Sequence, residues 1–278
     1  MEHNAIIYAT YAFYAFLAAV GLCAGSFFNV MIWRIPRGKS IAWPPSHCPK
    51  CGKNIKAYDN IPVVSYLILG GKCRNCKARI PITYPIVEFL TAAILITAWT
   101  LLNMNTTLRQ ISAWYDAVIP ILRVISIIML IPMAVIDIRH YIIPNRFTLT
   151  LLGLAVALSL IPGNLSIAES LLGVLAGAGP LLGLGILGTY LFKKGDAMGM
   201  GDVKLMAALG ALWGAQTVLI GMAFGALLGS IAGGILILSK KINDEHRIPF
   251  GPFLGAGTVV AIFVGDPLWQ WYLRMFYY

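Results

Sequence analysis

Long apolar runs separated by short polar segments dominate the chain. A helix needs about 20 apolar residues to cross a bilayer. Segments of that character lie near 6–32, 84–102, 117–136, 147–162, 168–191, 203–214, 216–238 and 252–272. The pattern predicts an all-α polytopic membrane protein with about eight transmembrane helices. The first run reads as a retained span and not a cleaved signal, because its basic flank (Arg34, Arg37, Lys39) follows it. One run is too short. Val203–Gly214 would rise only about 18 Å as a helix, against a hydrocarbon core of about 30 Å. Gly201 and Asp202 at its start are therefore expected at membrane depth, or the bilayer thins there. Gly221, Gly225, Gly229 and Gly233 recur every fourth residue, a face that predicts close helix packing.

Composition agrees with this reading. The chain is 59% hydrophobic and 12% charged, where soluble domains carry about 25% charge. The net charge of +10 would suggest nucleic acid in a soluble protein, but it sorts by loop. Segments 33–83, 137–146, 192–204 and 239–251 hold ten, two, three and three of the 21 Lys and Arg residues, leaving Arg109, Arg123 and Arg274 on the other side. The positive-inside rule then assigns these four loops to the cytoplasm and both termini to the outside. The surplus charge is assigned to topology and anionic membrane lipid, with no nucleic-acid partner.

The loop 33–83 is the one segment between spans large enough for a small domain. The chain divides accordingly into a first helix (1–32), this cytoplasmic loop (33–83) and a membrane domain (84–278). The loop contains Cys48-Pro-Lys-Cys51 and Cys73-Arg-Asn-Cys76. Two such knuckles match a four-cysteine, zinc-ribbon-like site, and a reducing cytoplasm disfavours the alternative of disulfides. A loop of this size has little core and gains stability from a metal. Cys23, alone in the first span, reads as a small buried residue.

The chain has 11 acidic residues. Asp137, Asp196 and Asp202 flank apolar spans on the cytoplasmic side, Glu88 begins the second span, and Asp196 reads as a loop residue. A carboxylate at membrane depth is costly unless it is paired or functional. Asp137 and Asp202 can each cap a helix or pair with Arg139 or Lys204. They can also meet, since both end on the same side. Two carboxylates sharing a site do not both ionise easily, the arrangement of an aspartic protease. His140 nearby reads as a solvated interfacial residue.

These residues carry a family resemblance. Gly199-Met-Gly201-Asp202-Val-Lys204-Leu matches the GxGD signature of polytopic membrane aspartyl proteases. Asp137 with Ile143-Pro-Asn145, Gly25-Ser-Phe-Phe-Asn29-Val with Arg34-Ile-Pro36, Ile61-Pro-Val-Val-Ser65-Tyr, the four cysteines, Tyr84-Pro-Ile-Val-Glu88 and Ile248-Pro-Phe-Gly-Pro252 resemble the type IV prepilin peptidases, from about residue 21 to 256. The resemblance implies a bifunctional enzyme of the bacterial cytoplasmic membrane. It would cleave the leader of type IV prepilins or type II secretion pseudopilins after a glycine. It would then methylate the new N-terminus with S-adenosylmethionine. By the same resemblance Asp137 and Asp202 form the catalytic pair, supported by Gly199, Gly201 and Lys204. Cys48, Cys51, Cys73 and Cys76 become ligands of a structural zinc in the loop that goes with methylation.

No G-x-G-x-x-G follows a strand and there is no room for an ordinary Rossmann domain. A methyl-donor site must then be built from the loop and adjacent helix ends, with Glu88, Asn29, Arg34 and Lys72 as candidates. Three other readings remain open: a peptidase without methylation, a transporter using the aspartates as a proton relay, and a scaffold whose zinc loop docks partners.

Overall fold

The computed structural model describes residues 2–102, 113–192, 198–239 and 248–277. Asp196, Arg109, Asp244 and Glu245 lie outside the described residues. Among the described residues the structure is helical: α1 (Glu2–Arg34), α2 (Val64–Ile68), α3 (Thr83–Leu101), α4 (Trp114–Ile128), α5 (Leu130–His140), α6 (Asn145–Ser159), α7 (Ile167–Phe192), α8 (Met200–Trp213), α9 (Ala215–Leu238) and α10 (Gly251–Tyr277). Six segments are long and apolar enough to cross a membrane, with α4 and α5 forming one of them, Trp114–His140. The runs at 147–162 and 203–214 become helices of 15 and 14 residues, short of a full crossing. All eight apolar segments are thus helices, six of them with the length of a span.

The chain forms two compact units, Met1–Gln110 with Ile127–Pro132, and Ile111–Ser126 with Met133–Tyr278. In the first, α1 packs along α3. Gly21 faces the Ala92 backbone, and a methyl group on Gly25 would lie 2.5 Å from the Glu88 Cα. Only glycine permits backbones this close. Farther along, Leu17 and Trp99 bury against Phe13, Tyr14, Ile96 and Leu102, and the Phe13 and Trp99 rings lie 5.3 Å apart.

In the second unit the short helix α8 is central, touched by α6, α7, α9 and α10. Leu205, Met206, Leu209 and Leu212 are almost fully buried. Gly173 and Gly177 of α7 sit against the carbonyls of Gly210 and Met206, and Ser170 Oγ donates to the Ala211 carbonyl at 2.9 Å. From Val203 to Leu212 most of this helix is buried in protein, while Met200 and Lys204 at its start are exposed. The fourfold-spaced glycines of α9 are packing positions. Methyl groups on Gly221, Gly225 and Gly229 would meet Thr258, Leu254 and Phe250 within 3 Å.

Candidate functional site

Asp137 and Asp202 come together in the second unit. The helix α5 carries Asp137 in its last turn and ends at Tyr141, whose positive φ of 55° reverses the chain while its amide donates to the Asp137 carbonyl at 2.8 Å. Ile142, Ile143 and Pro144 then lead into α6. Asp202 lies in the first turn of α8, where a carboxylate complements the helix dipole. The third element is the start of α10. A methyl group on Gly251 would lie 2.7 Å from Asp137 Oδ2 and 3.4 Å from Asp202 Oδ1. These two oxygens are therefore within about 6 Å of each other, close enough to interact directly. The Gly251 amide faces the Asp137 carboxylate, and Pro252 occupies the first turn, where a missing amide costs nothing.

Asp137 is 5% exposed, and its Oδ2 is buried with no hydrogen-bond partner. A buried carboxylate oxygen without a donor is costly and calls for a physical reason. Gly199 caps α8 with Asp202 Oδ2 3.1 Å from where its methyl would be, and Gly201 faces Ile143 at 3.1 Å. Lys204 is exposed and does not approach the aspartates. Its Nζ donates to Asn145 Oδ1 at 3.2 Å, tying α8 to α6.

The four cysteines form a second candidate site in the first unit. Each knuckle lies inside a small antiparallel bridge, His47 with Asn54 and Lys72 with Arg79. The backbone repeats: Cys48 N–H donates to Lys53 O and Gly52 N–H to Cys48 O, while Cys73 N–H donates to Ala78 O and Lys77 N–H to Cys73 O, all at 2.8–3.0 Å. Gly52 and Lys77 take the same left-handed conformation at equivalent places, φ 69° and 58°. The four Sγ atoms all lie within 4.8 Å of one another, and Cys48 and Cys76 are 3.8 Å apart. That is no disulfide. A tetrahedron with 2.3 Å Zn–S bonds has edges of about 3.8 Å, so the thiols fit a zinc ion. The Cys73 thiol is lowered to about 6, first by the Cys76 amide and then by that of Asn75, while Cys76 is pushed up to about 11, where the Ala78 amide is outweighed by burial and the neighbouring thiols.

A cleft of this unit is lined by Ser26, Asn29, Arg34, Tyr66, Tyr84 and Glu88 and reaches both knuckles. Glu88 is 7% exposed, and its Oε2 accepts the Val63 amide at 2.7 Å. Val63 has φ 59° and ψ −50°, with Val64 N–H donating to Pro62 O at 2.5 Å. This is a γ-turn of the strained kind, pinned by a carboxylate. Asn29 Nδ2 donates to Tyr84 O at 3.0 Å. The Arg34 guanidinium donates to the carbonyls of Ser40 and Pro44 at 3.0 and 2.6 Å and so shapes the start of the loop. Lys72 is exposed and does not line the cleft. The sequence pattern does not single out Ile143, Val63 or Gly251 individually. Each matters through a tertiary contact, and the only signal was membership in a quoted motif.

Two family models match the chain: the bacterial peptidase A24 N-terminal domain over residues 19–102 and the type IV leader peptidase family over residues 124–238. Prepilin leader peptidase/N-methyltransferases are similar along nearly the whole length. The protein of that name from Aeromonas hydrophila is 32% identical over 95% of both chains. Those from Pseudomonas aeruginosa (32%, over 92% of this chain and 91% of the relative) and Bacillus subtilis (31%, over 92% and 96%) follow the same pattern. No solved structure matches. With its aspartates meeting at Gly251, its four convergent thiols and relatives that align end to end, the chain belongs to the type IV leader peptidase family.

Proposed function

We propose that this protein is a bifunctional prepilin peptidase and N-methyltransferase of the bacterial cytoplasmic membrane, with Asp137 and Asp202 as its proteolytic pair. The observation that carries the reading is the meeting of two carboxylates at Gly251, one with a buried unpartnered oxygen. The pair acts as one unit. The ionised member takes a proton from water, whose oxygen attacks the scissile carbonyl carbon. The protonated member hydrogen-bonds the carbonyl oxygen, and a proton passes to the leaving amine as the peptide bond breaks. Gly199 and Gly201 support the pair by letting the Asp202 carboxylate and Ile143 pack closely against the start of α8. Lys204 supports the site through Asn145.

The substrates are type IV prepilins or type II secretion pseudopilins, cut after a glycine. Their apolar helix lies in the lipid with the cut at the depth of Asp202. The basic loops support an orientation with both termini outside and this site at the cytoplasmic face.

Methylation uses S-adenosylmethionine and belongs to the loop 33–83 with its flanking helix ends. Zinc held by Cys48, Cys51, Cys73 and Cys76 cross-links the loop and takes no part in the transfer. Glu88 and Asn29 line the cleft that would hold the new amine or the methyl donor, Arg34 shapes the wall of that cleft, and Lys72 lies outside it. Glu88→Gln tests the carboxylate directly. Loss of methyl transfer with cleavage intact supports the role, and normal methylation removes it.

A further inference from the structure

We propose that Ile143 is a specificity-determining residue that limits the size of the amino acid on the N-terminal side of the cut bond. This rests on the peptidase reading above. Ile143 stands in the turn between α5 and α6, wedged between two glycines from different elements. Its Cβ lies 3.1 Å from where a methyl on Gly201 would be, and its Cδ1 lies 2.8 Å from where a methyl on Gly251 would be. That same position on Gly251 is in contact with both aspartates. Ile143 is half-buried, so it is not sealed into the core.

The attacked carbonyl must come within about 3–3.5 Å of the water that the pair activates. The Cα of the residue bearing that carbonyl is then forced against the surface made by Gly201, Gly251 and Ile143. The space a side chain on either glycine would take is already filled by Ile143 and, at Gly251, by the carboxylates. A residue without a side chain fits. A methyl group competes with the Ile143 side chain, and larger groups are excluded. Interiors packed this tightly do not absorb an added methylene without displacement. The aspartates cannot yield, because their positions define the reaction, so the isoleucine sets the limit.

The test uses the full-length protein in detergent and three prepilins that carry Gly, Ala or Ser before the cut, with kcat/KM measured for each. The native protein should prefer Gly. Ile143→Ala should raise the Ala-to-Gly ratio by about ten- to two-hundredfold, the span one methylene commands in a tight pocket. Ile143→Val should fall between. A ratio unchanged in Ile143→Val and Ile143→Ala overturns the assignment, as does a native protein that accepts Ala as readily as Gly. If Ile143→Ala is inactive on every substrate, the Ile143→Val ratio alone decides. Failure of the native protein to cleave the Gly substrate overturns the peptidase reading itself and is distinct from these outcomes.

Discussion

At the scale of single residues, the absence of a side chain at Gly251 matters as much as the carboxylates beside it. A methyl there would press on Asp137 Oδ2 and, under the proposed mechanism, swing the carboxylate away from the attacking water. Gly251→Ala should lower kcat for leader cleavage by about a hundredfold, the effect of an ångström-scale misplacement, with KM and methylation of an already cleaved pilin little changed. An equal rise in KM would indicate a lost binding surface instead. A second prediction concerns the metal loop. The Arg74 guanidinium grips Asp59 through contacts of 2.6 to 3.0 Å and holds its carboxyl below its ordinary value of 3.8. A lowered carboxyl contributes stability above its unfolded pKa and loses it as pH falls through the folded one. The protection factors of amides in 57–60 and 73–76, corrected for the intrinsic pH dependence of exchange, should therefore be steady at neutral pH and fall below about pH 4. Asp59→Asn should lose this pH dependence and show slightly lower protection throughout, a modest effect because the Arg74 half of the pair is exposed. Asp137 and Asp202 were legible in the sequence because carboxylates beside apolar runs are rare. Gly251 and Ile143 were not, because their proximity to the pair exists only once α10 has folded back.

At the scale of elements, α8 and the α9–α10 pair show how small residues build the second unit. The sequence revealed the glycine period of α9 and left its partner unnamed; the partner is α10. Because Gly225 meets the Leu254 backbone, Gly225→Val should overpack the contact and cost about 1–3 kcal/mol. That should appear as a Tm several degrees lower. Gly234 has open space around it, so Gly234→Val should leave Tm nearly unchanged. The loop behaves differently, since its knuckles were readable from cysteine spacing alone. Their backbone repeat, with Lys77 matching Gly52, was not, because a lysine carries no signal for a left-handed conformation. Metal analysis should find about one zinc per chain. Cys73→Ser should lose the metal and methyl transfer while sparing leader cleavage. Loss of both activities would give the loop a part in the peptidase as well.

At the scale of the whole molecule, the chain forms two compact units, and the proposed function gives each its own chemistry. The first holds convergent thiols and a cleft lined in part by Glu88. The second holds the aspartate pair around a helix too short to span. That helix poses a choice between a sunken start and a thinned bilayer, and it packs among α6, α7, α9 and α10. Span lengths could not be judged fully from hydropathy, because an apolar helix wrapped in protein and one wrapped in lipid share the same composition. The proposed function has one chain cut a prepilin with Asp137 and Asp202 and methylate the product. The most direct test incubates the purified protein with a prepilin, with and without S-adenosylmethionine, and reads intact masses, with Asp202→Asn beside it. The account predicts leader loss in both conditions, one added methyl only with the donor present, and no cleavage by Asp202→Asn. Cleavage that survives in Asp202→Asn, or a native protein that leaves pilin-like substrates intact, would contradict it.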